Sequence, residues 1–492
     1  MRTLCMLTLC VLAGCAVGPN FQPPAPPAST GYTPGGLPAA TASTDAAGGE
    51  AQRFVDGLDI PGQWWTLFRS RQLNALIARA LAHNPTLAAA QAALRQANEN
   101  LAAQRGSYFP SITGSLNAQR DRAAGAAFGN PRPLLYTLNN ASVNVAYTLD
   151  AFGGLRREVE ALRAQRDYQR FALEASYLSL TANIVTAAVS EASLSAQIAA
   201  TESIVRSQEV QLRIVRERVA AGGVSRADLL QQQSQLTATL AALPALRNQL
   251  AQERNQLAAY TGALPADYVE RDFALDSISL PLELPVSLPS KLVEQRPDVR
   301  EFAALLHAAT AQVGVATANM LPQITLSGSY GHTAVRFADL FSPASVVWSL
   351  AAAATQPIFK GGQLWHQRRA AIAAAQVAAA NYQATVLTAF QNVSNALLAL
   401  QADADGLSAD ASAEQAAAAS LALVRVQYGS GAASYPQVLT AEQSDQSAAI
   451  VLVKARAQRY ADTAALFQAL GGGWWHRSDI DANSTDCCKG HL

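Results

Sequence analysis

The sequence predicts a mainly α chain with a small β part, in which one unit is used twice. Three observations carry this. A duplication runs through most of the 492 residues. Within each copy, two short stretches alternate apolar and polar residues with period two, the pattern of a half-buried strand. Elsewhere apolar residues recur every seven positions over long, break-poor stretches, which indicates long helices packed as coiled coils.

The duplication is held in register by punctuating residues. Pro85 and Pro297 lie 212 residues apart, as do Pro110 and Pro322. Leu94 and Leu306, Ala97 and Ala309, Ile112 and Ile324, and Ser115 and Ser327 match at the same spacing. Further on, Phe152-Gly153-Gly154-Leu155 answers Phe359-Lys360-Gly361-Gly362-Gln363-Leu364. Then Arg216, Gly222, Ser225, Leu230 and Gly262 answer Arg425, Gly431, Ser434, Leu439 and Gly471, 209 residues on. Chance does not hold one register this long. The body therefore divides into repeat 1 over 61–265, a linker over 266–290 and repeat 2 over 291–475.

Each repeat opens with a helix begun by proline, Thr86 to Arg105 in the first. Proline loses nothing there, because a first-turn N–H is unpaired anyway. Strands are expected at about 109–120 and 137–150, and again at about 321–333 and 345–358. Ile112, Gly114 and Leu116 alternate with Thr113, Ser115 and Asn117. Val143, Val145, Tyr147 and Leu149 alternate with Asn144, Ala146 and Thr148.

A helical region then runs from Gly154 to Gly222, on the order of 100 Å. Ile184, Ile198, Val205, Leu212 and Val219 share one heptad frame. Gly222-Gly223 breaks it, and Ser225 is placed to cap the next helix. That helix runs to Gly262 with Leu229, Leu236, Leu243, Leu250 and Leu257 seven apart. Pro244 sits inside the leucine run, where it is expected to kink or break the helix at about 3 kcal/mol. The second hairpin turns near 431, around Gly429 and Gly431.

Composition narrows the function. Lys+Arg and Asp+Glu are both 36, a formal net charge of zero. A nucleic-acid binder needs a basic surplus to neutralise phosphates. No apolar run approaches the 18 residues of a spanning helix. No HExxH, GxSxG, Walker or GxGxxG motif occurs, and the six histidines are scattered. No catalytic residue, metal or cofactor is expected.

The amino terminus reads as a secretory signal over 1–14, one arginine followed by a short apolar stretch. Leu12-Ala13-Gly14-Cys15 resembles a bacterial lipobox, which makes Cys15 the acylated first residue of the mature chain. Ala16, not aspartate, follows it, which points to the outer membrane. Residues 15–60 read as a lipid-anchored extended leash, rich in Pro, Gly, Ala, Ser and Thr toward its start. Cys487 and Cys488 fall in a tail over 476–492 that is expected to be flexible. Adjacent cysteines bridge only with strain.

Four strands per chain cannot close on themselves, and open edges must be paired or they aggregate. A cyclic trimer supplies twelve strands. Closure satisfies every backbone group in lipid, with the helices continuing as a tube of coiled hairpins.

At this point the chain resembles a known family. The carrying residues are Cys15-Ala16-Val17-Gly18-Pro19-Asn20-Phe21, Trp64-Trp65-Thr66-Leu67-Phe68 and Leu73-Asn74-Ala75-Leu76-Ile77. Leu81-Ala82-His83-Asn84-Pro85, Glu294-Gln295-Arg296-Pro297-Asp298-Val299 and Ala469-Leu470-Gly471-Gly472-Gly473-Trp474 join them. In this order and spacing they are similar to the outer membrane factors, the exit ducts of efflux and type I secretion systems, and within these to the lipoprotein branch serving RND pumps. The resemblance implies a homotrimer: a twelve-stranded β-barrel in outer-membrane lipid continued by a long periplasmic α-barrel. It implies passive conduction, with a periplasmic adaptor (membrane fusion protein) and an inner-membrane RND pump as partners.

It also implies a gate at the two helix tips, Arg218 to Leu230 and Arg425 to Leu439. By the family pattern, Asp228 faces Tyr428 of a neighbouring copy, and Arg226 is a further basic candidate. The other reading of Asp228 is a plain helix cap. Family members often carry aspartate where this chain has Gln437 and Thr440, which argues against a cation-selective ring here. Two alternatives stay open: a duct for protein secretion, and a pore-less periplasmic coiled-coil scaffold, which has no use for the strand pairs.

Overall fold

The computed structural model describes residues 16–477, apart from 30, 125, 127, 128, 130, 131 and 269–271. Cys15, Cys487 and Cys488 lie outside the described residues. In chain order the elements are β1 (Arg53–Asp56), α1 (Arg71–His83), α2 (Pro85–Gly106), β2 (Ser111–Ala123), β3 (Leu134–Leu149), α3 (Gly154–Ala220) and α4 (Arg226–Tyr260). There follow β4 (Glu283–Val286), α5 (Pro289–Gln295), α6 (Pro297–Ala318), β5 (Gln323–Ala334), β6 (Val346–Thr355), α7 (Gln363–Gly429) and α8 (Tyr435–Ala469). The chain is mainly α. Corresponding helices of the two repeats have equal lengths: 67 residues for α3 and α7, and 35 for α4 and α8.

Two compact units form. The first takes the chain up to Pro24, Ala93–Arg170 and Glu301–Gln383; the second takes Ala25–Ala92, Phe171–Arg300 and the chain from Ala384 onward.

The first unit holds an antiparallel sheet in the order β2-β3-β5-β6. Residues directly opposite share a face, so its register defines two surfaces. Ile112↔Val145, Gly114↔Val143, Val143↔Tyr330 and Tyr330↔Trp348 run across the apolar one. That surface is uncovered: Ile112 is 70% exposed, Leu116 71%, Trp348 74% and Leu350 81%. The opposite surface is hydroxyl and amide. Ser115 and Ser142 hydroxyls bond at 2.9 Å, Ser329 and Ser349 at 2.8 Å, and Asn144 donates to Ser115 at 3.3 Å. Strand β6, expected to run to 358, ends at Thr355. Gln356 turns its amide onto the Met320 and Pro357 carbonyls, and Pro357 has no N–H for a ladder.

The second unit has a core of Trp64, Phe68, Leu73, Leu76, Ile77, Phe273, Leu284, Leu292 and Phe467, all buried. Trp64 and Phe467 stack with centroids 5.5 Å apart. Ser70 caps α1 by accepting from the Leu73 N–H. The middle of α3 is apolar enough to be read as a membrane span by composition, but it is mostly buried. Ile184, Val185, Ala188 and Val189 face the core, as in a soluble coiled bundle.

The repeat is visible in the packing of two glycines. Gly262 follows α4 with φ +73, and a Cβ there lies 2.4 Å from the His83 carbonyl oxygen. Its counterpart Gly471, φ +96, stands 2.4 Å from the Gln295 carbonyl oxygen in the same sense. Gly262→Ala should therefore cost more than the about 1–2 kcal/mol of left-handed backbone alone. Gly222→Ala, at φ +76 in open space, should cost only that amount. Denaturant midpoints of the two variants test the difference.

Two expectations need correction. The segment over 15–60 is not a free leash in its described part. In the first unit, Arg157 donates to the Val17 and Gly18 carbonyls and to Asn20, and Phe21 stacks on His307 at 4.3 Å. In the second unit, β1 pairs in parallel with β4, which itself lies in the expected linker. Gln52 is fully buried there, and Arg459, also fully buried, donates to Gly48 O, Glu50 O, Thr41 Oγ1 and Gln52 Oε1. Proline and glycine composition identifies an extended segment but not the partners that bind it.

Pro244 does not break α4, which runs unbroken through it. Pro244 is exposed, whereas Leu243, Leu250 and Leu257 are buried. Burial along that seam carries the helix past one missing hydrogen bond.

Next to Arg459, Asp403 of α7 faces Asp462 of α8. Burial, and then the Asp462 carboxyl, push Asp403 up to about 7 against the pull of Arg459. Between about pH 4 and 7 the folded chain thus holds a proton that the unfolded chain has released, so stability falls as pH rises through that window. Asp403→Asn should flatten this dependence, read as denaturant midpoints at pH 5 and pH 8.

Candidate functional site

The two helix tips lie in the second unit, and each is built by the same local chemistry. Helix α3 ends with the Gly223 N–H on the Arg218 carbonyl (2.7 Å) and the Gly222 N–H on the Val219 carbonyl (3.0 Å). Helix α7 ends with the Ala432 N–H on Gln427 (2.8 Å) and the Gly431 N–H on Tyr428 (3.1 Å). This six-to-one, five-to-two pattern closes a helix with one left-handed residue. Gly222 and Gly431 take that role, at φ +76 and +82. Gly223 and Gly429 do not; Gly429 is the last residue of α7.

Asp228 and Gln437 occupy the same position, third in the helix that follows each tip. The Ser225 side chain accepts from the Asp228 N–H, and Asp228 Oδ2 accepts from the Ser225 N–H at 3.1 Å, a closed capping box. At the second tip Gln437 Oε1 accepts from the Ser434 N–H at 2.6 Å. Asp228 therefore does cap its helix. The neutral Gln437 fulfils the same local task, so the charge of Asp228 is not required for capping.

Between the tips lies a small apolar core of Val215, Tyr435 and Leu439, with Val219, Val224, Leu229 and Tyr428 packed on it. Arg218 stacks on the Tyr428 ring at 4.9 Å, and Tyr428 contacts the Tyr435 ring at 5.5 Å. The Tyr428 hydroxyl is buried and has no hydrogen-bond partner among the described residues. Tyr435 donates to Gln232 Oε1, Gln232 donates to the Gln208 carbonyl, and Gln208 donates to Gln446. Burial, with Glu442, Tyr428 and Asp228 nearby, pushes the Tyr435 phenol up. Arg425 pairs with the buried Glu442 at 2.9 Å.

Arg226 and Thr440 are exposed, and Thr440 only bonds back to the Pro436 carbonyl. Within one chain the structure thus brings Tyr428 into the tip core and leaves Arg226, Gln437 and Thr440 at the surface. The sequence reading missed Tyr435 and its glutamine ladder. The one signal was the repeat itself, because Tyr435 stands 209 residues after Arg226 and is the copy's apolar departure. Among the described residues no cluster of side chains could hold a metal.

The chain's relatives agree with this architecture. A family model described as outer membrane efflux protein matches residues 76–263 and 288–472, one segment in each repeat. The pyoverdine export outer membrane protein OpmQ of Pseudomonas aeruginosa is 30% identical over 488 residues, covering 96% of this chain and 97% of its own. The cation efflux system protein CusC of Escherichia coli is 27% identical over 490 residues, covering 95% and 98%. Among solved structures, the outer-membrane channel OprN superposes with a TM-score of 0.83 at 27% identity, over 94% of this chain and 100% of its own. The open state of the MtrE outer membrane channel of Neisseria gonorrhoeae shares the fold, with a TM-score of 0.81 at 24% identity, over 94% of this chain and 100% of its own. These proteins are channels, not enzymes. Matched in both of its repeats, the chain belongs to the outer membrane efflux protein family.

Proposed function

We propose that three copies of this chain close one twelve-stranded barrel, and that the assembly is the exit duct of a tripartite efflux pump. The observation that carries it is the four-stranded sheet, open at β2 and β6 and apolar on one uncovered face. Two copies would make eight strands, whose interior side chains fill; twelve leave an aqueous lumen. The hydroxyl and amide surface lines that lumen, and the apolar surface meets outer-membrane lipid. Acylation of Cys15 anchors each copy, and the bulk of the chain is periplasmic.

The duct conducts passively from an inner-membrane RND transporter through a periplasmic adaptor. Asp228 and Tyr428 of neighbouring copies form the closing contact at the tips. The orphaned Tyr428 hydroxyl supports this, because a buried donor without a partner is costly and a neighbour's carboxylate relieves it. Cargo is small toxic compounds. Met320 is the single methionine left after the signal, which disfavours thioether relay of Cu(I).

Purified protein should migrate as a heat-resistant trimer and carry current in planar bilayers. Monomers without conductance would sink the duct and favour the scaffold.

A further inference from the structure

We propose that the hairpin end of the sheet docks the phosphorylated glycolipid of the outer leaflet through Arg120 and Arg122. This rests on the barrel reading above.

The strand register places the two arginines. In β2, Ile112 pairs with Val145, Leu116 with Ala141, Arg120 with Thr137 and Arg122 with Leu135, with no interruption of the ladder. All four β2 residues thus share the apolar surface. Asp121 pairs with Tyr136 on the opposite surface, and Gln119 donates to it at 2.9 Å. The run Arg120-Asp121-Arg122 therefore sorts its charges: both cations fall on the lipid side and the anion on the lumen side. Both arginines are exposed, and neither forms an ion pair among the described residues.

Their height fits a headgroup. At about 3.3 Å per residue and a tilt of about 40°, Arg120 stands about 20 Å and Arg122 about 25 Å above Ile112. An outward apolar band is about 25 Å tall, so the guanidinium groups reach its outer boundary while their stems stay against apolar surface. The end at issue is the outer one, because the strands join helices at their other ends and turn in hairpins here.

The remaining charge at this end does not neutralise them. Around both hairpins the chain carries Arg120, Arg122, Arg132 and Arg336 against Asp121 and Asp339. Asp121 is on the other surface, and Asp339 is engaged by Arg336 at 2.7 Å. Exposed Phe337 and Phe341 in the neighbouring hairpin add the aromatic residues that favour an interface.

The chemistry selects the partner. Paired guanidinium forks bind phosphate in a bidentate manner. A phosphatidylethanolamine headgroup carries its own ammonium and offers less net charge. A bisphosphorylated glycolipid presents anionic phosphates at this height.

The test uses full-length trimer, stripped of lipid and incubated in detergent with an equimolar mixture of bisphosphorylated lipid A and phosphatidylethanolamine. Native mass spectrometry counts what is retained. Wild type should retain the glycolipid preferentially. At about fivefold per surface arginine, R120Q/R122Q should lose on the order of 25-fold of that preference, and R336Q should lose little. Dephosphorylated lipid A should bind wild type and the double variant equally. The proposal is overturned if wild type shows no preference, or if the double variant keeps it while its conductance and heat-resistant trimer are intact. A wild-type chain that forms no conducting trimer removes the barrel first, and the lipid face with it.

Discussion

A channel carrying Asp228→Ala and Tyr428→Phe together should be open far more of the time than wild type in a planar bilayer. A hydrogen bond to a charged group contributes about 1.5–3 kcal/mol. Each one lost therefore shifts the closed-to-open ratio by about tenfold or more, and a trimer has three. The chain itself makes the experiment clean on one side. The Tyr428 hydroxyl has no partner among the described residues of its own chain, and Tyr428→Phe leaves the ring contacts with Arg218 and Tyr435 in place. Asp228 needs a control, because it also caps α4. Ser225→Ala breaks the same capping box, worth about 1 kcal/mol, by removing the hydroxyl that accepts from the Asp228 N–H and donates to its carboxylate, and it leaves the Asp228 carboxylate itself in place. Asp228→Asn keeps an oxygen for the cap and removes the charge, so it should open the channel partway. If the double variant conducts like wild type, or if Ser225→Ala alone reproduces its effect, the tips are not latched by this pair.

Arg459→Met should release residues 41–52 from the second unit. The guanidinium is fully buried and supplies Gly48 O, Glu50 O, Thr41 Oγ1 and Gln52 Oε1. Methionine approximates the stem but leaves Gly48 O, Glu50 O and Gln52 Oε1 without that donor, while Thr41 Oγ1 keeps only the Gln52 N–H, and it leaves Asp403 without its cation. Removing one partner of a buried charged network costs about 3–5 kcal/mol. The denaturant midpoint should fall accordingly, and limited proteolysis should gain a cut within 41–52 while the sheet stays protected. Unchanged protease resistance there would show that the β1–β4 pairing alone holds the segment.

These two sites differ in how far the sequence exposed them. The tip turns were readable because the chemistry is local. A left-handed residue at Gly222 and Gly431, and a serine three residues before Asp228 and Gln437, involve neighbours within six positions. The capping role of Asp228 was one of two readings for the same reason. Arg459 was invisible: its partners lie more than 400 residues earlier, in a segment whose composition suggests a leash. Tyr435 and Gln232 are likewise 203 residues apart. No period or motif records such a pair.

Pro244 marks the same limit from the other side. Local propensity predicts a break there, and the helix continues because Leu243, Leu250 and Leu257 are buried on one seam. Burial of that stripe outweighs a single lost hydrogen bond.

The sequence by itself determined the duplication, the two strand pairs, the long heptad helices and the family to which they belong. The first three follow from periodicity and from glycine and proline positions, which depend on near neighbours or on the repeat register; the family follows from the resemblance of short motifs taken in order. Tertiary structure alone decided which strand faces which and that the amino-terminal segment is bound by a buried arginine. It also decided that Arg120 and Arg122 share the apolar surface of the sheet while Asp121 does not. Those outcomes rest on contacts between residues far apart in the chain, and only the folded backbone specifies them.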